Sequence, residues 1–151
     1  MVGKPSLGGT LRRNVKRSWI ASMLDHLSIG VRDFQRSIAF YDAVFAPLNY
    51  VRVWDGKKAA GYGEPGGEDR FAIKEDAPES SVASSPRSHL AISAKTREMV
   101  VVSYNAAISA GGTDLGKPWL RPRYGENYFA AFISDPDGYR IEIVCHAAES
   151  T

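Results

Sequence analysis

HLSIGVRDFQRSIAFYDAVF runs from residue 26 to 45, and HLAISAKTREMVVVSYNAAI runs from 89 to 108. Laid one over the other, they agree at His26/His89, Leu27/Leu90, Ile29/Ile92, Tyr41/Tyr104 and Ala43/Ala106, where chance gives about one identity. The first copy reads outward easily. LDHLSIGV (24–31) alternates apolar with small or polar residues, the pattern of a strand. Asp33 then stands where a helix N-cap belongs, and Phe34, Ile38, Tyr41 and Phe45 recur at helical spacing up to Pro47. Strands follow at 49–54, 58–63 and 70–74, broken by Asp55-Gly56 and by Glu64-Pro65-Gly66-Gly67. After a Pro/Ser-rich linker at 76–88 the order restarts: a strand at 89–94, a helix at 96–110 stopped by Gly111-Gly112, and strands near 113–118, 127–134 and 139–145. The turn Asp135-Pro136-Asp137-Gly138 echoes the earlier Glu-Pro-Gly-Gly. The chain is thus a tandem βαβββ repeat, with units at 23–75 and 87–146 in a single domain spanning 23–146 and a short tail at 147–151.

Composition bounds the function classes. A chain of 151 residues with 44% hydrophobic and 24% charged side chains suits one folded domain and excludes global disorder. No apolar run approaches the roughly 20 residues of a membrane helix. Cys145 is the lone cysteine and fits a reducing cytoplasm. The net charge of +2 is unevenly placed. Lys4, Arg12, Arg13, Lys16 and Arg17 lie in an acid-free segment 1–22, so the rest of the chain carries 14 basic against 17 acidic residues. We read that segment as a flexible basic extension without functional consequence, because it lacks a secretory apolar region and Trp19 alone is slight support for a nucleic-acid arm. No nucleic-acid or membrane partner is expected.

A doubled βαβββ unit that opens on HLSIGV and closes on DPDGYRIEIV resembles the vicinal oxygen chelate superfamily, over residues 23–146. That group includes glyoxalase I, extradiol dioxygenases, methylmalonyl-CoA epimerase, fosfomycin-resistance enzymes and bleomycin-binding proteins. The run Glu142-Ile143-Val144-Cys145-His146 is similar to the last strand of its small bacterial glyoxalase-like members. The resemblance implies an α+β fold of two curled four-stranded sheets forming an open barrel. It also implies a divalent metal (Fe, Mn, Ni or Zn), a small-molecule substrate, a lyase, isomerase or dioxygenase reaction, and a homodimer. The implied ligands are His26, His89 and Glu142. In some relatives the metal is shared between chains, which would join His26 of one copy to His89 and Glu142 of another. The alternative is a metal-free binding protein of the bleomycin-resistance kind.

The fourth family ligand has no counterpart here. With a one-residue gap, Arg70-Phe71-Ala72-Ile73 lies over Arg140-Ile141-Glu142-Ile143, so Ala72 stands at the place of Glu142. Glu75 falls on the opposite face of a period-two strand. What remains is two imidazoles and a carboxylate, a set that leaves coordination positions open. Ser28, Gly30, Ala91 and Ser93 share the faces of the two histidines and leave room for a cavity. The segment 117–128 holds the densest aromatic and cationic cluster, so Trp119, Arg121, Arg123, Tyr124 and Tyr128 are candidate substrate contacts. Tyr128 and Glu142 are the candidate acid–base residues. Cys145 is expected buried and inert, His146 at the surface, and the glycines form no phosphate loop.

Overall fold

Asp33 caps the first helix as its position predicts: its carboxylate accepts the Arg36 backbone N–H at 3.0 Å, satisfying one of the free donors of the first turn. The computed structural model describes residues 23–80 and 85–149. The basic extension, the middle of the 76–88 linker and the last two residues lie outside the described residues. Strand β1 (Leu27–Val31) leads into helix α1 (Phe34–Phe45), which tightens into a 3-10 turn at Ala46–Leu48 around Pro47. Strands β2 (Val51–Asp55), β3 (Ala59–Gly63) and β4 (Phe71–Glu75) complete the first repeat. The second repeats the order with β5 (Leu90–Ser93), α2 (Arg97–Ser109), β6 (Thr113–Leu120), β7 (Phe129–Ser134) and β8 (Arg140–Cys145). Thr96 caps α2, its hydroxyl accepting from Met99 N at 3.1 Å.

Each repeat forms its own four-stranded mixed sheet, in the orders β1-β4-β3-β2 and β5-β8-β7-β6, and neither closes on itself. The parallel pair in each follows from the helix between its strands, which supplies the crossover. Register makes the repeat equivalence explicit. Ser28 pairs with Ala72 in the first sheet and Ala91 pairs with Glu142 in the second, so Ala72 does stand where Glu142 stands. Glu75 lies on the other face and pairs with Lys58 Nζ at 2.6 Å. Among the described residues, no helix is long and apolar enough to cross a membrane.

Helices α1 and α2 pack against each other, and the buried residues of the two repeats form one apolar cluster. Within it Tyr41, Phe45, Tyr62 and Phe71 stack with ring centroids 4.8–6.3 Å apart. Ser103 on α2 donates to the Val44 carbonyl of α1 at 2.6 Å, tying the repeats at their centre. Cys145 is fully buried in this cluster.

The β7–β8 turn adds a polar lock between repeats. Asp135 is buried and accepts three hydrogen bonds, from the Tyr41 hydroxyl at 2.8 Å and from the backbone N–H groups of Asp137 and Tyr139. Burial raises its pKa, and those three donors act against the rise. Asp137 accepts from the Arg32 backbone N–H and from the guanidinium groups of Arg32 and Arg36. Replacing Tyr41 with phenylalanine removes one of the three donors to this buried carboxylate. We expect a loss of about 1–3 kcal/mol, read as a lower urea midpoint at unchanged m value. An unchanged midpoint would show that the Tyr41–Asp135 bond contributes nothing net.

Candidate functional site

The face of the second sheet away from α2 follows from strand alternation. On it, Ala91, Glu142, Phe132 and Gly116 lie side by side across β5, β8, β7 and β6, with Ser93, Val144, Ala130 and Trp119 in the next row. Strand β6 runs two residues further than its sequence pattern predicts, which places Trp119 on a strand opposite Ala130, after a bulge spanning Gly116 and Trp119. The hairpin then closes through Arg121 N–H donating to the Tyr128 carbonyl at 2.7 Å. Arg121 and Tyr128 therefore stand opposite one another at the end of this face.

Three of the predicted site residues meet here. Glu142 is 2% exposed. Its Oε2 lies 3.0 Å from His89 Nε2, and its Oε1 accepts the Tyr128 hydroxyl at 2.5 Å. Burial first, then the bond to Glu142 and that group's charge, push the Tyr128 hydroxyl up to about 12, so it stays protonated at neutral pH. His89 sits immediately before β5, with its side chain partly exposed. The Tyr128 ring also meets Tyr124 at 5.3 Å and His146 edge-on at 4.9 Å. His146 is exposed, as expected, and its place beside Tyr128 is a structural addition.

His26 does not join them. It sits immediately before β1, the repeat-equivalent place to His89, and its Nδ1 lies 2.8 Å from the carboxylate of Asp25. Among the described residues no three His, Cys, Asp or Glu side chains gather into a group able to hold a metal ion. A single chain thus presents two of the three expected ligands together and the third apart.

The equivalent face of the first sheet is filled differently. There Ser28, Ala72, Gly61 and Trp54 form the row that matches Ala91, Glu142, Phe132 and Gly116. The Trp54 indole lies over Gly61, where a Cβ would fall 2.2 Å from its Nε1. In the second sheet the sizes are exchanged: Phe132 is large and Gly116 is bare. Arg121 folds back into that room, its Cζ 4.7 Å from the Phe132 ring centroid. Phe132 also meets the His89 ring at 6.0 Å. Sequence reasoning missed Phe132; its signal was the register that sets it beside Glu142. Trp119 and Tyr124 are strongly exposed and Arg123 is exposed, so these candidate contacts rim the face without closing it. A separate, mainly apolar cavity of about 320 Å³ is lined by Leu27 and Ile29 of β1, Phe71 of β4, Leu90 of β5 and Ile141 of β8, with His89 on its wall.

Two mixed sheets from tandem βαβββ units, with a histidine, a buried glutamate and a tyrosine gathered on one sheet face, define a glyoxalase-type fold with a candidate chelating site. The comparisons agree on the fold. The Glyoxalase/Bleomycin resistance protein/Dioxygenase superfamily profile matches residues 23–143, and the chain belongs to that superfamily. It is similar to a glyoxalase/bleomycin resistance protein from Albidiferax ferrireducens T118, at 28% identity and a TM-score of 0.71 over 82% of this chain and 99% of that one. Its fold is also that of a glyoxalase/bleomycin resistance protein/dioxygenase family enzyme from Burkholderia phytofirmans PsJN (21% identity, TM-score 0.61, 81% and 97% covered). The fosfomycin resistance protein FosX from Mesorhizobium loti shares it as well (17% identity, TM-score 0.59, 81% and 90% covered). No curated protein matches the sequence.

Proposed function

We propose that this chain is a metal-dependent enzyme of the glyoxalase/dioxygenase type, acting on a small substrate that chelates through oxygen. The observation that carries the reading is the juxtaposition of His89 Nε2 and the buried Glu142 carboxylate. Neither Tyr128 nor a neutral imidazole cancels the charge of Glu142, and a buried carboxylate without a counter-charge is costly. A divalent cation supplies that charge, and the donor types suit Fe, Mn, Ni or Zn.

One chain brings together two of the three expected ligands. We assign the remaining ligand to His26 of a second copy, so that a homodimer carries two equivalent sites. The bound ion would polarise the substrate's oxygens and stabilise an enolate or catecholate. The chain's own residues do the rest. Tyr128 holds a proton on its hydroxyl, 2.5 Å from Glu142 Oε1, and turns the other carboxylate oxygen toward His89. Glu142 is a ligand first and the nearest base for a substrate proton.

Complementation between variants tests the shared site. His26→Ala and His89→Ala homodimers should each lose their metal, measured by elemental analysis. Unfolded and refolded together, they should form heterodimers with one intact site, and bound metal should return. If each His variant alone keeps its metal, the ligand assignment fails. If metal is lost but never returns on mixing, the site is not shared. Wild-type protein that takes up no metal would favour the binding-protein reading instead.

A further inference from the structure

We propose that Arg121 is an anion receptor that restricts the site to carboxylate-bearing substrates; this rests on the site reading above and names its substrate class. Arg121 makes no ion pair among the described residues. The one hydrogen bond of its side chain there is a 3.5 Å contact from a terminal nitrogen to the Lys117 carbonyl, and its Nε is buried without a partner. Arginine forks of this kind pair with carboxylates at two points, and no carboxylate pairs with this one among the described residues.

The guanidinium is also held in place. Its Cζ lies over the Phe132 ring, and the bare backbone at Gly116 leaves it room: a Cβ there would fall 3.0 Å from a terminal nitrogen of Arg121, which would have to shift by a few tenths of an ångström. The first repeat, with Trp54 and Gly61 in the corresponding positions, has no such arrangement. The backbone bond from Arg121 to Tyr128 fixes the root of the side chain. Phe132 is the cross-strand neighbour of Glu142, so the guanidinium over its ring sits about one strand across from the ligand pair, with a terminal nitrogen reaching toward Gly116 on the next strand. One to two strand spacings are roughly 5–10 Å. The far end of that span admits a small ring with chelating oxygens at one end and a carboxylate at the other. The exposed Trp119, in the adjacent row, offers a flat apolar surface for such a ring.

Protocatechuate and catechol differ only by this carboxylate, which makes them the probes. Binding of each to the full-length, metal-supplemented protein is measured by calorimetry, for wild type, Arg121→Gln and Arg121→Lys. Wild type should prefer protocatechuate by at least about 10-fold, the yield of a charge-assisted contact. Arg121→Gln should bring the ratio to near one with the metal retained, and Arg121→Lys should keep part of the preference. With stoichiometric metal confirmed by elemental analysis, an equal ratio in wild type, a preference that survives Arg121→Gln, or no binding of either probe overturns the proposal. Failure of the metal reading has a different signature: the same elemental analysis finds no metal in the wild-type protein.

Discussion

Glu142→Gln should leave a folded protein that no longer holds a divalent metal, with affinity down by at least about 100-fold, since even the hydrogen-bond partners of metal ligands cost 10–100-fold when removed. Glutamine is the informative replacement because it keeps the shape of the residue. Its amide oxygen can still accept from Tyr128, and its amide nitrogen can still face His89. Neither partner is left bare in a buried place, so stability should change by less than about 1 kcal/mol or rise, as a buried charge disappears. The pairing of results is the test: elemental analysis shows the metal gone, and circular dichroism and melting without added metal match wild type. If the variant keeps stoichiometric metal, Glu142 is not a ligand, and its contacts with His89 and Tyr128 are structural.

The largest stability effect should come from Phe45→Ala. Phe45 is buried at the end of α1 and meets the rings of Tyr41, Tyr50, Tyr62 and Phe71 at 5.1–6.1 Å. Truncating it removes apolar area and leaves a cavity between four rings that cannot all close in. The expected loss is about 3–5 kcal/mol, against a total of about 5–15 kcal/mol for a domain. The melting temperature should fall by about 6–20 °C. Phe45→Leu, which keeps most of the volume, should lose far less. Both variants should retain full metal content below their melting temperatures, because Phe45 lies on the helix side of the sheets and Glu142 on the other. A loss below about 1 kcal/mol would mean that the ring cluster repacks freely.

The first prediction concerns a residue legible from the chain, and the second depends on a cluster that was legible only in part. Tyr41 and Phe45 were visible as one face of an amphipathic helix. Their meeting with Tyr62 and Phe71 needed the sheet. The same division runs through the candidate site. Ala72 could be matched with Glu142 from the chain alone, because both follow an arginine and an apolar residue in equivalent strands. The position of Arg121 could not, because it depends on a bulge in β6, the reach of the hairpin and the bare backbone at Gly116.

Read alone, the chain determined the doubled βαβββ order, the helix start at Asp33, the turns at 64–67 and 135–138, and the faces on which His89, Glu142 and Ala72 lie. These are local matters: strand period, capping and turn chemistry act over a few residues and leave their mark in the residue order. Tertiary structure decided which of the expected ligands meet. His89 reaches Glu142 because β5 and β8 are hydrogen-bonded neighbours in one sheet, whereas His26 belongs to the other sheet and pairs with Asp25. It also decided that Asp137 binds Arg32 and Arg36 of the first repeat, and that Phe132 carries a guanidinium. Such contacts depend on how two sheets are placed and on which side chains leave room for others, and neither is written in the spacing of residues along one strand.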